Sequence, residues 1–393
     1  MKKLSAVWLL AGIAAGVSVM WLRVRWATAL PEILIFSLAM AWLAGAAAGR
    51  WTLRWKPILL PMGAVVLWGA VQAAGGFSVY PYQTWVLVLY WAANLAAMFA
   101  AIQFLNRAED RDFFLKGLLF FGVAVSAISF LQAFTSDGKV FWFFTTDYPG
   151  IAFGPFVYNN QYAAFIELLL PIALFYALTD AVRSEYYAVM AAVLYMSVVA
   201  TASRAGFVLS TIELLLVPAL LMWKRGRTAV HPGRPLAFAG VAIVLLILAA
   251  GPSALLKKFQ MTDPYAGRRE FLYSSVQMVK ARPLVGVGLG NWATAYPAFT
   301  LFDDGLYANQ AHNDWAQWAV EGGAPMFFLM LWFVLRASSR GLRSVWGAGI
   351  AIVFCHCFVD YPIQRIPVAF ILFALAGAAE VAAGDEPRAQ RLR

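Results

Sequence analysis

Apolar residues in this chain gather into long uninterrupted runs, and the polar residues fall in short clusters between them. A helix needs about 20 apolar residues to cross the hydrocarbon core of a bilayer. Runs of that kind lie near Leu4–Leu22, Ala27–Gly49, Pro57–Gly76, Thr84–Leu105, Phe113–Phe134 and Gln161–Val182. The second half adds Tyr186–Ala202, Ala205–Trp223, Leu236–Leu256, Trp315–Leu335, Ser344–Val359 and Ile366–Ala383. The pattern predicts an all-α polytopic membrane protein with about twelve transmembrane helices. Met1, Lys2 and Lys3 precede the first run as in a secretory signal, but no small-residue cleavage site follows, and the run reads as a retained helix.

One stretch, residues 257–313 between the ninth and tenth runs, is too polar to be embedded and reads as a large external loop. Within it Phe271, Leu272, Ser275, Val276 and Val279 recur at spacings of three and four, which predicts a short helix over Arg268–Ala281, ended by Arg282 and Pro283. Gly286, Gly288 and Gly290 then mark a close-packed turn. With no strand before it, this glycine run does not read as a nucleotide-binding loop. No internal repeat or low-complexity linker divides the chain, so residues 1–393 read as a single transmembrane domain.

Composition agrees. Of 393 residues, 62% are hydrophobic and 13% charged, against about 45–50% and about 25% in soluble domains. That excludes an ordinary water-soluble fold. Thirty Lys and Arg against twenty Asp and Glu leave a net charge of +10, which reads as a membrane charge bias and not as a nucleic-acid surface.

With a cytoplasmic N-terminus, alternate loops carry most of the cations: Arg50, Arg54 and Lys56; Arg107, Arg111 and Lys116; Lys224, Arg225, Arg227 and Arg234; Arg336, Arg340 and Arg343. Arg388, Arg391 and Arg393 place the C-terminus on the same side. Phe77–Gln83 on the other side has none, and Thr135–Tyr158 has only Lys139. Two groups defy this sorting. Arg23 and Arg25 form a small one, and Lys257, Lys258, Arg268, Arg269, Lys280 and Arg282 a larger one. Cations placed against the topology rule are functional candidates.

The densest candidate chemistry lies where the long loop meets the tenth run, at Ala311, His312, Asn313, Asp314 and Trp315. Asn313 or Asp314 is suited to cap the helix there, and Asp314 could equally orient His312. Gly267 and Arg268 to Phe271 stand upstream, then Pro283 to Trp292; Gln317 to Gly323 stand downstream. This order and spacing resembles the O-antigen ligase and O-antigen polymerase superfamily, membrane glycosyltransferases that use polyprenyl-diphosphate-linked glycans. Ser203, Arg204 and Gly206 resemble the family's Ser-Arg-x-Gly motif. Gly154 to Ala163 is similar to its external Asn-rich motif, and Phe358 to Gln364 to its Asp-aromatic-x-x-Gln stretch. The resemblance covers residues 154–364. Leu272 stands where many members have Trp, and Tyr158 and Gln161 where relatives often have Asn and His, differences that bear on acceptor type.

The resemblance implies an inner-membrane enzyme with both termini cytoplasmic and a periplasmic active site. It would transfer an oligo- or polysaccharide from undecaprenyl diphosphate to an acceptor hydroxyl on a glycan, a lipid A core or a protein, with no cofactor and no metal. Its catalytic residues would be His312, Arg204 and Arg268; Arg269, Asn313, Asp314, Asn160, Glu167 and Arg365 would bind substrate.

Physical chemistry points the same way. Guanidinium groups bind phosphate oxygens bidentately, and an imidazole is a base near neutral pH. Glu32, Glu167 and Glu213 lie within runs, where a carboxyl normally faces a protein interior or cavity. Glu167 could line the donor path or make a structural hydrogen bond, and Glu321 could serve fold or site. Cys355, His356 and Cys357 are adjacent and diverge on a helix, so packing explains them better than metal binding. A polymerase of the same superfamily is the near alternative. A twelve-helix transporter or lipid-linked glycan flippase is the alternative from another class, though polar candidates gathered at one face and no repeated halves disfavour it.

Overall fold

The structure is a computed structural model that describes residues 2–22, 24–145, 153–225, 240, 259–260, 266–301 and 308–383. Among the described residues eight helices are long and apolar enough to cross a bilayer. They are α1 (Lys2–Val19), α2 (Arg25–Ala47), α4 (Pro81–Phe104), α5 (Ala108–Thr135), α6 (Asn159–Thr179), α7 (Ser184–Ala200), α8 (Arg204–Arg225) and α11 (Asp314–Ser344). Two shorter apolar helices, α3 (Leu59–Ala74) and α13 (Ile366–Ala382), complete the bundle. No strand occurs among these residues, and the all-α polytopic membrane fold expected from the runs is what forms. Apart from Gly240, the run Leu236–Leu256 lies outside the described residues, as do Arg23, Arg227, Arg234, Lys257, Lys258 and the C-terminal tail.

The core is built where helices carry small residues past one another. α4 lies between α3 and α13, and α6 is packed by α7, α8 and a short helix α12 (Gly349–His356). α6 is buried along almost its whole length, from Gln161 to Leu178. A Cβ on Gly349 would stand 2.0 Å from the Glu167 carbonyl oxygen and one on Gly377 2.7 Å from that of Met98, so glycine sets both approaches.

The run Ser344–Val359 takes an unexpected form. α11 continues past Leu335 to Ser344 because Arg336 and Arg340 extend it and pair with Glu380 at 2.6 and 3.4 Å. Val345, at φ 64°, then turns the chain, leaving only eight residues for α12. At 1.5 Å per residue that is roughly 12 Å, well short of a bilayer.

The two ends of the bundle differ in charge. At one end Lys2 donates to Asn106 at 2.7 Å, the Arg54 N–H donates to Gln103 at 2.7 Å, and Arg336 and Arg340 hold Glu380. At the other end α2, α6, α8, α11 and α13 begin, and the segment from α9 (Ala266–Ala281) to α10 (Trp292–Ala295) folds over them.

That segment is tied to the bundle through its glycines. Gly286, Gly288 and Gly290 have φ of 68, 99 and 74°. Their turn docks on a break in α11 at Gly323 (φ 64°, ψ −163°). There Val287 and Gly288 donate to Val320 and Glu321, and Ala324 donates to Pro283. Glu321 turns its carboxylate inward to accept the N–H groups of Gly290 and Trp292 and the amide of Gln317, a structural role. α9 forms over the residues that its periodicity predicts, but on a shifted face. Phe271, Ser275 and Met278 pack inward, with Trp292 donating to Ser275 at 2.9 Å. Leu272 and Val276, a fraction of a turn away, are exposed.

Candidate active site

His312 is the last residue but one before α11, and the helix start explains its posture. Asn313 is the N-cap, its side chain accepting the Ala316 N–H at 3.0 Å while its own amide donates to Phe358. The chain reaches that cap with His312 in the left-handed region, φ 49°, a conformation that non-glycine residues seldom adopt. The imidazole is held by rings: it stacks on Phe271 at 5.7 Å and meets Tyr361 edge-on at 4.8 Å. Phe271 is supported in turn by Trp292 and Tyr296.

Asp314 neither caps the helix nor touches His312. Fully buried, it accepts the Ile363 N–H and the Gln364 amide, both at 3.0 Å. It thereby fixes the turn that leads to α13 and carries Asp360, Tyr361 and Arg365. Asn313 and Asp314 are thus placed by the fold as scaffolding for the site.

Asp360 is the hub. One carboxylate oxygen takes hydrogen bonds from Arg268 at 3.4 Å and from the Asn160 side chain; the other accepts the Tyr361 N–H and stands 3.8 Å from His312 Nδ1. Asn160 uses its own carbonyl to accept from Ser203 Oγ at 2.7 Å, and that hydroxyl also accepts the Gly206 N–H at the start of α8. One chain of polar contacts therefore joins α6, α8 and α9 to the turn between α12 and α13, and Arg204 follows Ser203 directly as the first residue of α8.

Arg365 lies over the rings of Tyr361 and Tyr158 at 5.2 and 5.9 Å. Arg269 is exposed, whereas Arg268, next to it on α9, turns toward Asp360. Glu167 lies elsewhere: it is fully buried and accepts from, or donates to, His356 Nδ1 at 2.9 Å. The structural hydrogen bond is the role it takes.

Among the described residues, His312 Nδ1 is buried without a hydrogen-bond partner. Burial pushes the imidazole pKa below its ordinary value; Asp360 opposes this, and the nearby Arg268 and Arg365 reinforce it. Neighbouring Glu270 behaves oppositely. Burial would raise its pKa, but hydrogen bonds from Tyr296, Ser274, the Leu301 N–H and Thr300 hold the carboxyl below its usual range. His312, Arg365, Gln364, Glu270 and Tyr158 line one side of a cavity of about 810 Å³, and its other side is formed by the ends of α1, α2 and α13.

An imidazole and two guanidinium groups at one cavity, with Arg268 and Asp360 beside the imidazole, are suited to taking a proton from a hydroxyl beside an anionic leaving group. Residues 188–331 match the family model described as O-antigen ligase. The match supports the O-antigen ligase and polymerase superfamily for this chain. A comparison with curated proteins gives no match.

Within the O-antigen ligase match lie Arg204, Arg268, Arg269, His312, Asn313 and Asp314. Asn160, Asp360 and Arg365 lie outside it, yet they complete the same contact network. Asp360 is the residue that the candidate set lacked. Its signal was present in the stretch Phe358–Gln364, where an acid beside an aromatic residue sits just before a span.

Proposed function

We propose that the protein is a membrane glycosyltransferase that moves an oligo- or polysaccharide from undecaprenyl diphosphate to an acceptor hydroxyl. In this reading the His312 end faces the periplasm, and the end carrying Lys2, Arg54, Arg336 and Arg340 faces the cytoplasm, as retention of cations on the side of synthesis requires. The acceptor hydroxyl attacks the anomeric carbon, the bond from that carbon to the diphosphate oxygen breaks, and the hydroxyl proton passes to His312. Arg268, Arg204 and Arg365 stabilise the diphosphate as its charge grows. Asp360 orients the imidazole and holds Arg268. The sugar is transferred with inverted configuration, because the acceptor oxygen attacks the face opposite the departing diphosphate.

The observation that carries this reading is the buried Nδ1 of the half-buried His312 imidazole, which has no hydrogen-bond partner among the described residues and stands beside Asp360, at a cavity lined by both polar and apolar side chains.

The test is a reconstitution. Purified protein in lipid nanodiscs is incubated with a lipid-linked oligosaccharide and, separately, with a lipid A core, a glycan and a protein acceptor, and the products are identified by mass. Transfer to one of these is expected, and His312→Ala is expected to lower it by about 100-fold or more with the inserted amount unchanged. Undiminished transfer by His312→Ala overturns the base assignment. Delivery of intact glycan across proteoliposomes without a new glycosidic bond overturns the transferase reading.

A further inference from the structure

Arg25 is a cation against the charge sorting, far from residues 188–331, and the fold brings it to the cavity that holds His312. Its guanidinium donates to Thr28 Oγ1 at 2.6 Å and to Glu32 Oε2 at 2.7 Å, leaving further N–H groups of the fork for another acceptor. Glu32 is only 3% exposed. A carboxylate buried at the end of a span is retained there when it holds a specific partner, and this one braces Arg25 in a single orientation.

The cavity wall beside Arg25 is apolar, built by Gly16, Val19, Met20, Pro31, Ile366 and Pro367 from α1, α2 and α13. At Gly16 a Cβ would stand 3.4 Å from Ile366, 3.6 Å from Pro367 and 3.7 Å from Pro31, an ordinary contact, so alanine is accommodated whereas a leucine would press on the α2 and α13 residues that form this wall. The outer face of α2 exposes Trp26, Leu30 and Ile33, the surface of a helix that meets lipid. The apolar residues of α1, α2 and α13 thus lie one helix away from the bilayer and line the same cavity as His312 and Arg365. An amphiphile with a diphosphate head and a hydrocarbon tail fits that division, and the volume lies within the usual range of ligand sites, about 300–1,000 Å³.

We propose that the wall formed by α1, α2 and α13 holds the first isoprene units of the lipid donor, and that Arg25, braced by Glu32, binds its diphosphate. This rests on the transferase reading for the identity of the lipid. The first helices thereby become part of the substrate site.

The experiment is photolabelling of the full-length protein in nanodiscs with a polyprenyl diphosphate that carries a diazirine in its first isoprene units, followed by mapping of the labelled peptides. Label is expected within residues 16–31, displaced by unlabelled undecaprenyl diphosphate and not by phosphatidylglycerol. Gly16→Leu should reduce that label about tenfold, and Gly16→Ala should retain it. Arg25→Ala should raise the donor KM roughly tenfold with kcat little changed, since the contact exists before and during transfer, and Arg25→Lys should recover part of the loss. Label confined to other helices, or displaced equally by phosphatidylglycerol, overturns the subsite. A fall in kcat alone for Arg25→Ala overturns the anchoring role. Label at residues 16–31 in a protein that forms no glycosidic bond overturns the transferase reading and leaves the lipid-diphosphate subsite standing.

Discussion

In the proposed transfer His312 is the base, and the charges around it bear on that role. Burial and the flanking Arg268 and Arg365 lower its pKa, so the neutral form that can accept a proton prevails at pH 7, and transfer should fail only as the pH falls through a value below the ordinary 6.5. Asp360 works against that lowering. Asp360→Asn should therefore move the acid limb of kcat/KM to lower pH, besides reducing the rate, whereas Arg365→Gln should move it upward. A limb that stays in place in both variants would show that neither residue faces the imidazole during turnover. Glu167 serves stability instead. With His356 it forms a fully buried pair remote from the cavity, so Glu167→Ala should cost about 1–3 kcal/mol of stability through the orphaned imidazole, read as a lower unfolding temperature in detergent, with the donor KM unchanged. The sequence marks both glutamate and histidine as polar residues in apolar runs, and nothing in it says that residues 167 and 356 meet.

Among the elements, the break in α11 does most to assemble the site. Gly323 opens the helix so that the turn at Gly286–Gly290 can lie against it, and this fixes Trp292, then Phe271, then the face on which His312 stacks. A Cβ on Gly286 would stand 2.4 Å from the Glu321 carbonyl oxygen, with φ at 68° besides. Gly286→Ala should accordingly cost about 1–3 kcal/mol and reduce transfer, measured by thermal unfolding alongside turnover. Gly63→Ala is the comparison: its Cβ meets nothing within 4 Å in the middle of α3, so the higher helix propensity of alanine should leave stability equal or raised. Apolar periodicity located these elements well, because length and hydropathy alone decide whether a helix spans. It misplaced the buried face of α9, since Leu272 and Val276 are apolar but the packing surface is chosen by Trp292. It gave no sign that the run Ser344–Val359 would be shortened, because the extension of α11 depends on Arg336 and Arg340 finding Glu380 on another helix.

At the scale of the molecule, loop-by-loop sorting of cations carried more information than net charge. Among the described residues the sorted cations gather at the Lys2 end, whereas two of the exceptions, Arg25 and Arg268, meet at the His312 end although they are far apart in the chain: Arg25 lines the cavity with His312 and Arg365, and Arg268 pairs with Asp360 beside His312. The exception itself was visible in the sequence; the convergence was not, because it needs α2, α9 and α13 brought side by side. If that asymmetry sets the orientation of the protein, it can be measured without any activity. In a background with Cys355→Ser and Cys357→Ala, single cysteines at Leu284 and Leu53 are suitable reporters, since both leucines are exposed, one beside the turn over the His312 end and the other beside Arg54. Leu284→Cys should react with a membrane-impermeant maleimide in intact spheroplasts, and Leu53→Cys only after permeabilisation. The reverse pattern would put His312, Arg268 and Arg25 in the cytoplasm, where the cations of the Lys2 end would then be the ones that defy retention, and the periplasmic transfer proposed here would have to be abandoned.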